Sequence, residues 1–225
     1  MATIASVGST QTTAGAAGPA ELRKGRKQGQ ARRDELRAAV LAAVERHLRS
    51  GVSFAELNVA DVAKEAGISR STFYAYFVDK ANLLRTWYAE FNLGLQTAAR
   101  EWWSLDGSAT REDLQRALGL VRQAYRAHPE LLAATHEAIG LDEGVREAVE
   151  DAMRQYIEGT REHIEAGQRA GFIDPLLPPA ETAYWLQWMA ERALHMMARR
   201  PSGDLSRMSE AHTAIVWNTL YAPAR

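Results

Sequence analysis

The spacing of its apolar residues constrains the fold of this chain more than any other feature. Beyond about residue 33, apolar side chains recur at helical intervals rather than alternating as in β-strands, and Ala, Leu, Glu, Arg and Gln dominate. The first such segment, residues 33–49, places an apolar residue at every fourth position from Leu36 to Leu48, and Gly51 offers a left-handed stop. We therefore predict an all-α fold of about nine helices.

Capping residues and helix breakers divide the rest of the chain. Asp79 can cap a long helix, and Thr110 and Asp113 have the spacing of a capping box. Gly171 can end a helix, and three prolines between residues 172 and 179 mark a connector. After the first helix, we predict short elements over residues 58–76, and then helices over about 79–103, 110–128, 129–139, 142–170, 180–199 and 205–220.

Residues 59–77 carry the local signals of a helix-turn-helix. Ser69 can cap the second helix, Gly67 can take the left-handed conformation of a sharp turn, and Ala63 is small enough for the helices to cross closely. Phe73 and Phe77 form the buried stripe of the second helix, so its other side chains can face solvent or DNA. A plain helical hairpin is the alternative, but the basic segment before the motif and the capped helix after it favour the helix-turn-helix.

Charge is distributed unevenly along the chain. The whole chain has 27 Lys and Arg against 28 Asp and Glu, but residues 1–85 hold 13 basic and 8 acidic residues. Six basic residues and no acid lie between Arg23 and Arg33, either as a solvated linker or as a DNA-binding arm. We predict a disordered basic arm over residues 1–32, a three-helix helix-turn-helix domain over 33–78, and a helical ligand-binding and dimerisation domain over 79–225.

Candidate DNA-binding residues lie in the arm, at the helix caps and on the second helix of the motif. Basic side chains of the arm would contact phosphates, whereas the second helix would enter the major groove of a double-stranded operator. The candidates are Arg26, Lys27, Arg32, Arg33, Asn58, Ser69, Arg70, Ser71, Thr72, Tyr74 and Tyr76.

The chain resembles the TetR family of bacterial regulators over residues 54–84. The resemblance is carried by the run Ile68-Ser-Arg-Ser-Thr-Phe-Tyr-Ala-Tyr-Phe77 and by the residues that follow it up to Leu84. It implies a homodimer of nine or ten helices per subunit and a repressor that a small ligand releases from DNA. It also implies that Thr72, Tyr74 and Lys80 touch DNA, which adds Lys80 to the candidates.

Aromatic residues indicate a second site. The chain has six tryptophans and seven tyrosines, most of them beyond residue 85 and with few polar groups among them, which favours a cavity for a small lipophilic effector. An ordinary core is the alternative. In the run Tyr74-Ala-Tyr-Phe77, the stretch Met189-Ala-Glu-Arg192 and the ending Trp217-Asn-Thr-Leu-Tyr221, the chain is also similar to a mycobacterial TetR subgroup that regulates ethionamide activation. This similarity implies that six residues face such a cavity. With Phe91 and Trp103, the candidates are Tyr125, Met153, Tyr156, Gln187, Trp188 and Trp217.

The last two predicted helices carry more apolar residues than a terminal hairpin needs. The corresponding helices in TetR-like proteins form a four-helix dimer interface. The candidate interface residues are Met189, Met196, Met197, Met208 and Ile215. Burial of these side chains within one subunit is the alternative to a homodimer.

Other functions lack their sequence signals. No histidine follows a glutamate by three positions, as in carboxylate-bridged metal bundles, and no His-Glu-x-x-His motif, phosphate-binding glycine loop or nucleophile elbow occurs. His195 beside two methionines could indicate a soft-metal site, but a core or interface histidine explains it more simply. We expect no enzymatic activity, cofactor or metal. An effector-independent architectural DNA-binding protein is the other alternative, which the acidic C-terminal part disfavours.

The expected location of the protein is the cytoplasm. The chain has no cysteine, so it can form neither disulfides nor thiolate metal sites. Its longest apolar stretches are far shorter than the roughly 20 residues that a membrane span needs, so we expect no membrane partner.

Overall fold

The computed structural model describes residues 19–198 and 205–222, and every regular element in these residues is an α-helix. This confirms the all-α prediction of about nine helices. The helices are α1 (Pro19–Arg49), α2 (Val59–Glu65), α3 (Arg70–Tyr76), α4 (Lys80–Trp103), α5 (Arg111–Ala127), α6 (Pro129–Ile139), α7 (Glu143–Ala170), α8 (Pro179–Ala198) and α9 (Leu205–Leu220).

The chain divides into two compact units, residues 1–39 and 40–225. In the first unit, the helix begins at Pro19, well before the start near residue 33 that the sequence predicted, so residues 19–32 are helical rather than disordered. Proline favours the first helical position, and the Ala, Glu, Leu, Arg, Lys and Gln residues after it are good helix formers that outweigh Gly25 and Gly29. The rest of the predicted arm, residues 1–18, lies outside the described residues.

The helix ends follow the capping chemistry of the sequence. Asp79 accepts a hydrogen bond from Asn82 N at 2.6 Å, and Thr110 and Asp113 form the reciprocal bonds of a capping box. Positive φ angles occur at Gly51 (95°), Gly67 (71°) and Gly171 (81°). These are the positions where the sequence required left-handed turns, and the predicted helix boundaries there are confirmed.

The core of the second unit is a cluster of apolar side chains from α4, α5, α7, α8 and α9 and from the connector between α7 and α8. Helix α4 packs on α5 and α7, and α7 packs on α8. The buried members of the cluster are Trp102, Leu114, Ala117, Leu118, Ile164, Ile173, Ala183, Leu186, Val216 and Leu220.

A buried hydrogen-bond chain holds the end of α9 on this core. Trp102 Nε1 donates to the Tyr221 hydroxyl oxygen at 3.1 Å, and that hydroxyl lies 2.6 Å from His163 Nε2. His163 Nδ1 is 3.0 Å from the Trp103 carbonyl oxygen. Burial lowers the pKa of His163, so the ring is neutral at pH 7, with Nδ1 as donor and Nε2 as acceptor. The Trp102 indole, the Tyr221 hydroxyl and both ring nitrogens of His163 therefore each have a hydrogen-bond partner.

Candidate DNA-reading helix and effector cavity

Helix α3 presents a polar and aromatic outer face. Phe73 and Phe77 are buried beneath it, whereas Tyr74 and Tyr76 are 44% and 38% exposed. The guanidinium of Arg70 lies over the Tyr74 ring, 5.5 Å from its centroid. The buried side chains of Phe73 and Phe77 anchor α3 in the core, and the side chains on its outer face stay accessible.

The structure brings most of the predicted DNA-binding residues of the motif together on α3. Ser69 accepts a hydrogen bond from Thr72 N at 3.0 Å, and its hydroxyl also lies 2.7 Å from that of Ser71. Asn58 caps α2 by accepting from Ala60 N at 2.9 Å. The helix-turn-helix geometry is therefore formed, while the DNA contacts themselves remain a prediction.

The basic candidates of α1 belong to the other compact unit. The side chains of Lys27, Arg32 and Arg33 are exposed, and that of Arg26 lies outside the described residues. Exposure of these cations is compatible with phosphate contacts, which stay a prediction.

Lys80 has a structural role that the sequence did not reveal. Its Nζ donates to the carbonyl oxygens of Phe54 at 2.8 Å and Ala55 at 2.5 Å, and it lies 3.5 Å from that of Leu57. The ammonium also lies over the Phe54 ring. Lys80 thus stabilises the loop between α1 and α2, and the DNA contact implied by resemblance would require it to leave these carbonyls.

Helix α6 also holds this loop. The Glu137 carboxylate accepts hydrogen bonds from Phe54 N and Ala55 N, both at 3.0 Å. Nearby, His128 Nδ1 lies 2.7 Å from Glu45 Oε1, and this bond raises the pKa of His128. The partners are more than 80 residues apart in sequence, so no local pattern could have predicted these bonds.

An inner cavity of about 40 Å³ lies among five helices of the C-terminal part. Four predicted effector residues line it: Tyr125, Met153, Tyr156 and Gln187. The other lining residues are Leu95, Ala99, Trp102, Leu118, Val121, Ala190, Glu191, Leu194 and His212.

Two further candidates contact this wall without lining the cavity. The Phe91 ring packs edge-on against Tyr125, with the centroids 5.6 Å apart. Trp103 Nε1 donates to Thr160 Oγ1 at 3.2 Å, and Gln187 Nε2 donates to the same oxygen at 2.5 Å. Phe91 and Trp103 therefore support residues of the cavity wall.

The structure does not bring Trp188 and Trp217 to the cavity. Trp188 is 39% exposed and packs near Tyr184, while Trp217 stacks on Tyr221 with centroids 5.3 Å apart. Consecutive helical residues point about 100° apart, so Trp188 faces outward when Gln187 faces inward. The residues that share the inward face of Gln187 follow it at helical spacing and are Ala190, Glu191 and Leu194.

Sequence reasoning missed the ionisable groups of the cavity wall. Glu191 Oε1 lies 2.9 Å from His136 Nε2, and the His136 and His195 rings are 3.7 Å apart. Burial raises the pKa of Tyr88 and Tyr125, and the Glu191 carboxylate raises both further. The wall is thus less purely apolar than the aromatic composition suggested. No cluster of three or more potential metal-ligating side chains occurs in residues 19–198 and 205–222.

A cleft of about 540 Å³ lies beside the inner cavity, and the two share Tyr125 and Leu194 in their walls. Volumes of about 300–1,000 Å³ are typical of small-molecule sites, so the cleft has the size that the inner cavity lacks. The remaining lining residues of the cleft are Gly119, Arg122, Gln123, Arg126, Ala127, Met197, Ala198 and Ser209.

The outer face of α8 and α9 exposes four of the five predicted interface residues. Met189, Met196, Met208 and Ile215 are between 37% and 48% exposed, whereas Met197 is only 8% exposed. Met197 is thus packed within its own subunit. The exposed apolar face is compatible with the dimer interface, which stays a prediction.

Within the described part of the chain, no helix is both long enough and apolar enough to span a lipid bilayer.

Two family profiles match the chain. Residues 46–86 match the bacterial regulatory proteins of the tetR family, and residues 114–222 match the C-terminal domain of the transcriptional regulator EthR. The first match covers the helix-turn-helix, and the second covers most of the wall of the inner cavity.

Full-length relatives agree with these matches. The HTH-type transcriptional regulator EthR of Mycobacterium tuberculosis (strain ATCC 25618 / H37Rv) is 30% identical over 220 residues, which are 95% of this chain and 100% of that protein. EthR of Mycolicibacterium smegmatis is 29% identical over 175 residues, 76% of this chain and 78% of the relative.

Solved structures show the same fold. Native NalD of Pseudomonas aeruginosa, described as the secondary repressor of the MexAB-OprM multidrug efflux pump, superposes with a TM-score of 0.64. The sequence identity is 18%, and the superposition covers 85% of this chain and 100% of NalD. The profiles and the curated relatives are those of DNA-binding transcriptional regulators rather than enzymes, and they confirm the resemblance that residues 54–84 indicated. The chain belongs to the TetR family of bacterial transcriptional regulators and has a C-terminal domain of the EthR type.

Proposed function

We propose that this regulator is a homodimeric repressor that leaves a palindromic operator when a small lipophilic effector binds to its C-terminal domain. The proposal rests on the contacts that α4 makes along its length. At its start, Lys80 is bonded to the loop before α2. Further along the same helix, Leu95, Ala99 and Trp102 line the inner cavity. One continuous helix therefore connects the loop before the DNA-reading motif with the inner cavity, which is the proposed effector site.

The accessible face of α3 supports the DNA-reading part of the proposal. In a twofold dimer, two such helices would enter successive major grooves about 34 Å apart. Thr72 and the aromatic residues Tyr74 and Tyr76 would then face the bases and the backbone. The exposed cations of α1 would add phosphate contacts that depend on salt concentration.

The exposed apolar face of α8 and α9 supports the dimer. Met196 and Ile215 are 48% and 44% exposed, and Met189, Met208 and Ile215 line one groove of α8 and α9, a contiguous apolar patch of the kind that marks an interaction surface. A palindromic operator requires this twofold arrangement, because each subunit reads one half-site.

The inner cavity is too small to hold an effector without rearrangement. Its volume of about 40 Å³ is far below the roughly 300–1,000 Å³ of typical small-molecule sites. An effector would therefore displace side chains of the shared wall, Tyr125 and Leu194, and extend into the neighbouring cleft. We infer that this displacement shifts α4 and moves the recognition helices away from the operator spacing.

Helix α6 is a second connection between the cavity wall and the loop before α2. His136 bonds to Glu191 in the cavity wall, and the next residue, Glu137, bonds to the loop before α2. If the effector weakens operator binding through these helices, the operator must weaken effector binding by the same factor. Such coupling is typically about 1–3 kcal/mol.

The test measures operator affinity in the presence and in the absence of the effector. An operator is first selected from a pool of random DNA duplexes, and small molecules that copurify with the protein are identified by mass spectrometry. Operator affinity is then measured by fluorescence anisotropy with and without the identified molecule. We expect a roughly fivefold to 150-fold loss of operator affinity when the effector is saturating.

A matched pair of variants connects the effect to the cavity. Ala99→Val adds two carbons at the cavity wall, whereas Ala89→Val makes the same change at an exposed position of α4. We expect Ala99→Val to weaken effector binding and to leave operator affinity without effector unchanged, with no effect of Ala89→Val. A tightly bound effector that left operator affinity unchanged would refute the proposal and favour an effector-independent DNA-binding protein.

A further inference from the structure

Arg122, in the middle of α5, is a half-buried cation with an unused donor. Its Nη2 donates to the Gln115 carbonyl oxygen at 3.1 Å. Its Nη1 is shielded from solvent and has no hydrogen-bond partner in residues 19–198 and 205–222. Burial lowers the pKa of the guanidinium, but an arginine remains charged at physiological pH. The fold therefore keeps a cation here that its own groups only partly stabilise.

The surroundings of Arg122 supply no negative charge. The described walls of the cleft contain a second cation, Arg126, together with the polar residues Gln123 and Ser209, and no carboxylate. His212 on α9 faces Arg122 across a neighbouring groove. Burial, with a smaller effect of Arg122, lowers the pKa of His212 to about 4, so this ring is neutral at pH 7. Among the described residues that line the cleft, the charge is therefore positive and has no compensating carboxylate.

Gly119 leaves space beside the guanidinium. A β-carbon built at this position would lie 3.6 Å from Arg122 Nη2 and meet nothing else within 4 Å. Glycine is a poor helix former, yet it stands here in the interior of α5, one turn before Arg122. An additional group can therefore approach Nη2 from this side.

The opposite wall of the cleft is apolar and leads inward. Leu194, Met197 and Ala198 of α8 line it, and Leu194 continues into the wall of the inner cavity together with Tyr125. The cleft is therefore cationic at Arg122 and apolar along α8, and Tyr125 and Leu194 connect it to the inner cavity.

We propose that the effector is an anionic amphiphile whose carboxylate binds Arg122 in the cleft and whose apolar chain passes Tyr125 and Leu194 into the inner cavity. This inference rests on the proposed function, which by itself requires only a lipophilic effector. A guanidinium donates two parallel hydrogen bonds to a carboxylate. Nη2 can be approached from the Gly119 side, and the unused Nη1 becomes the second donor when the head group displaces the groups that shield it from solvent. Glu191 at the inner cavity would repel an anion, so the head group belongs at the Arg122 end.

The test compares three probes of equal chain length: dodecanoate, 1-dodecanol and dodecyltrimethylammonium, each below its micelle concentration. Binding to the full chain is followed by tryptophan fluorescence and confirmed by calorimetry. We expect dodecanoate to bind on the order of ten- to a hundredfold more tightly than dodecanol, the range of a hydrogen bond to a charged group. The ammonium probe should bind more weakly than the alcohol.

Two arginine variants assign the preference to its residue. Arg122→Gln should abolish the preference for dodecanoate over dodecanol while keeping the affinity for dodecanol. Arg116→Gln is the control, because Arg116 is an exposed residue of the same helix that pairs with Asp113 and does not line the cleft. It should leave all three affinities unchanged.

A stability measurement separates this role from a purely structural one. Because Arg122 lacks a counter-charge, Arg122→Met should unfold at the same or a higher temperature than the unmodified protein in the absence of ligand. Dodecanoate should raise the unfolding temperature of the unmodified protein and not that of Arg122→Met. A clear loss of stability in the ligand-free variant would overturn the inference, because Arg122 would then serve the fold.

The outcomes also separate this inference from the proposed function. Equal affinities for dodecanoate and dodecanol, or a dodecanoate preference that survives Arg122→Gln, would overturn the anionic effector and leave a lipophilic effector standing. Arg122-dependent binding of dodecanoate without any change in operator affinity would support the site and refute the proposed release from DNA.

Discussion

Replacing Lys80 with methionine distinguishes a scaffold residue from a DNA-contacting one. Methionine keeps an unbranched apolar side chain but lacks the ammonium that bonds to the carbonyl oxygens of Phe54 and Ala55 at 2.8 and 2.5 Å. The third carbonyl, at Leu57, is 3.5 Å away and contributes little. The structure therefore assigns two strong charge-assisted hydrogen bonds to Lys80.

The expected loss of stability follows from these two bonds. A hydrogen bond to a charged group contributes about 1.5–3 kcal/mol, and the loop is partly exposed, so water can replace part of the loss. We expect Lys80→Met to lower the free energy of unfolding by about 2–3 kcal/mol. In a chain of this size, each kcal/mol corresponds to about 2–4 °C, so the unfolding midpoint should fall by about 4–12 °C.

The assay combines thermal unfolding by circular dichroism with operator binding at several salt concentrations. Lys64→Met, at an exposed lysine of α2, is the control and should leave the midpoint unchanged. If Lys80 is chiefly a scaffold residue, operator binding should weaken without a change in its salt dependence. An unchanged midpoint, together with a salt slope flatter by about 0.9 for each lost phosphate contact, would refute the scaffold role.

Three further predictions concern the dimer interface, the DNA-reading helix α3 and the pH dependence of stability. Met196→Glu should give a folded monomer in sedimentation and lose operator binding in anisotropy measurements, whereas Val216→Glu should unfold the chain because it buries a charge in the core. A dimeric Met196→Glu would place the interface elsewhere. Thr72→Ala should change the sequence selected from random duplexes more than it changes the salt slope, and an unchanged preference would remove Thr72 from the base-reading residues. The Glu45 bond raises the pKa of His128 above 6.5, so the pair stabilises the fold below pH 6.5 and loses this effect as the pH rises through the raised pKa. The difference in urea midpoint between the unmodified protein and Glu45→Gln should therefore shrink between pH 5.5 and 8.5. A constant difference would contradict the pairing.

The local chemistry of the helix ends could be predicted from the sequence. Asp79, Ser69 and the Thr110 capping box act within three residues, and Gly67 and Gly171 need a conformation that other residues avoid. The same locality explains why the helix-turn-helix was recognisable. Only the start of α1 differed, because helix formers and two glycines compete there over several turns.

Contacts between distant helices could not be predicted in this way. The outward position of Trp188 depends on which face of α8 packs on α7. A rotation of α8 by about 100°, the angle between consecutive residues, would exchange the positions of Trp188 and Gln187. Whether Lys80 contacts DNA or the loop depends on where α4 meets that loop in space. Arg122 is an ordinary helix-surface residue in the sequence, and only the packing of α5 against α8 and α9 encloses it.

The small volume of the inner cavity bears on how fast an effector can bind. If the effector binds as proposed, its head group would enter the 540 Å³ cleft at once, but its apolar chain would have to wait until the side chains of Tyr125 and Leu194 move apart. Association would then proceed in two steps, and the rate of the second step would not rise with effector concentration. The apparent affinity would also be reduced in proportion to the fraction of molecules in the open arrangement. The small inner cavity would thus make the regulator slow to respond to brief pulses of effector.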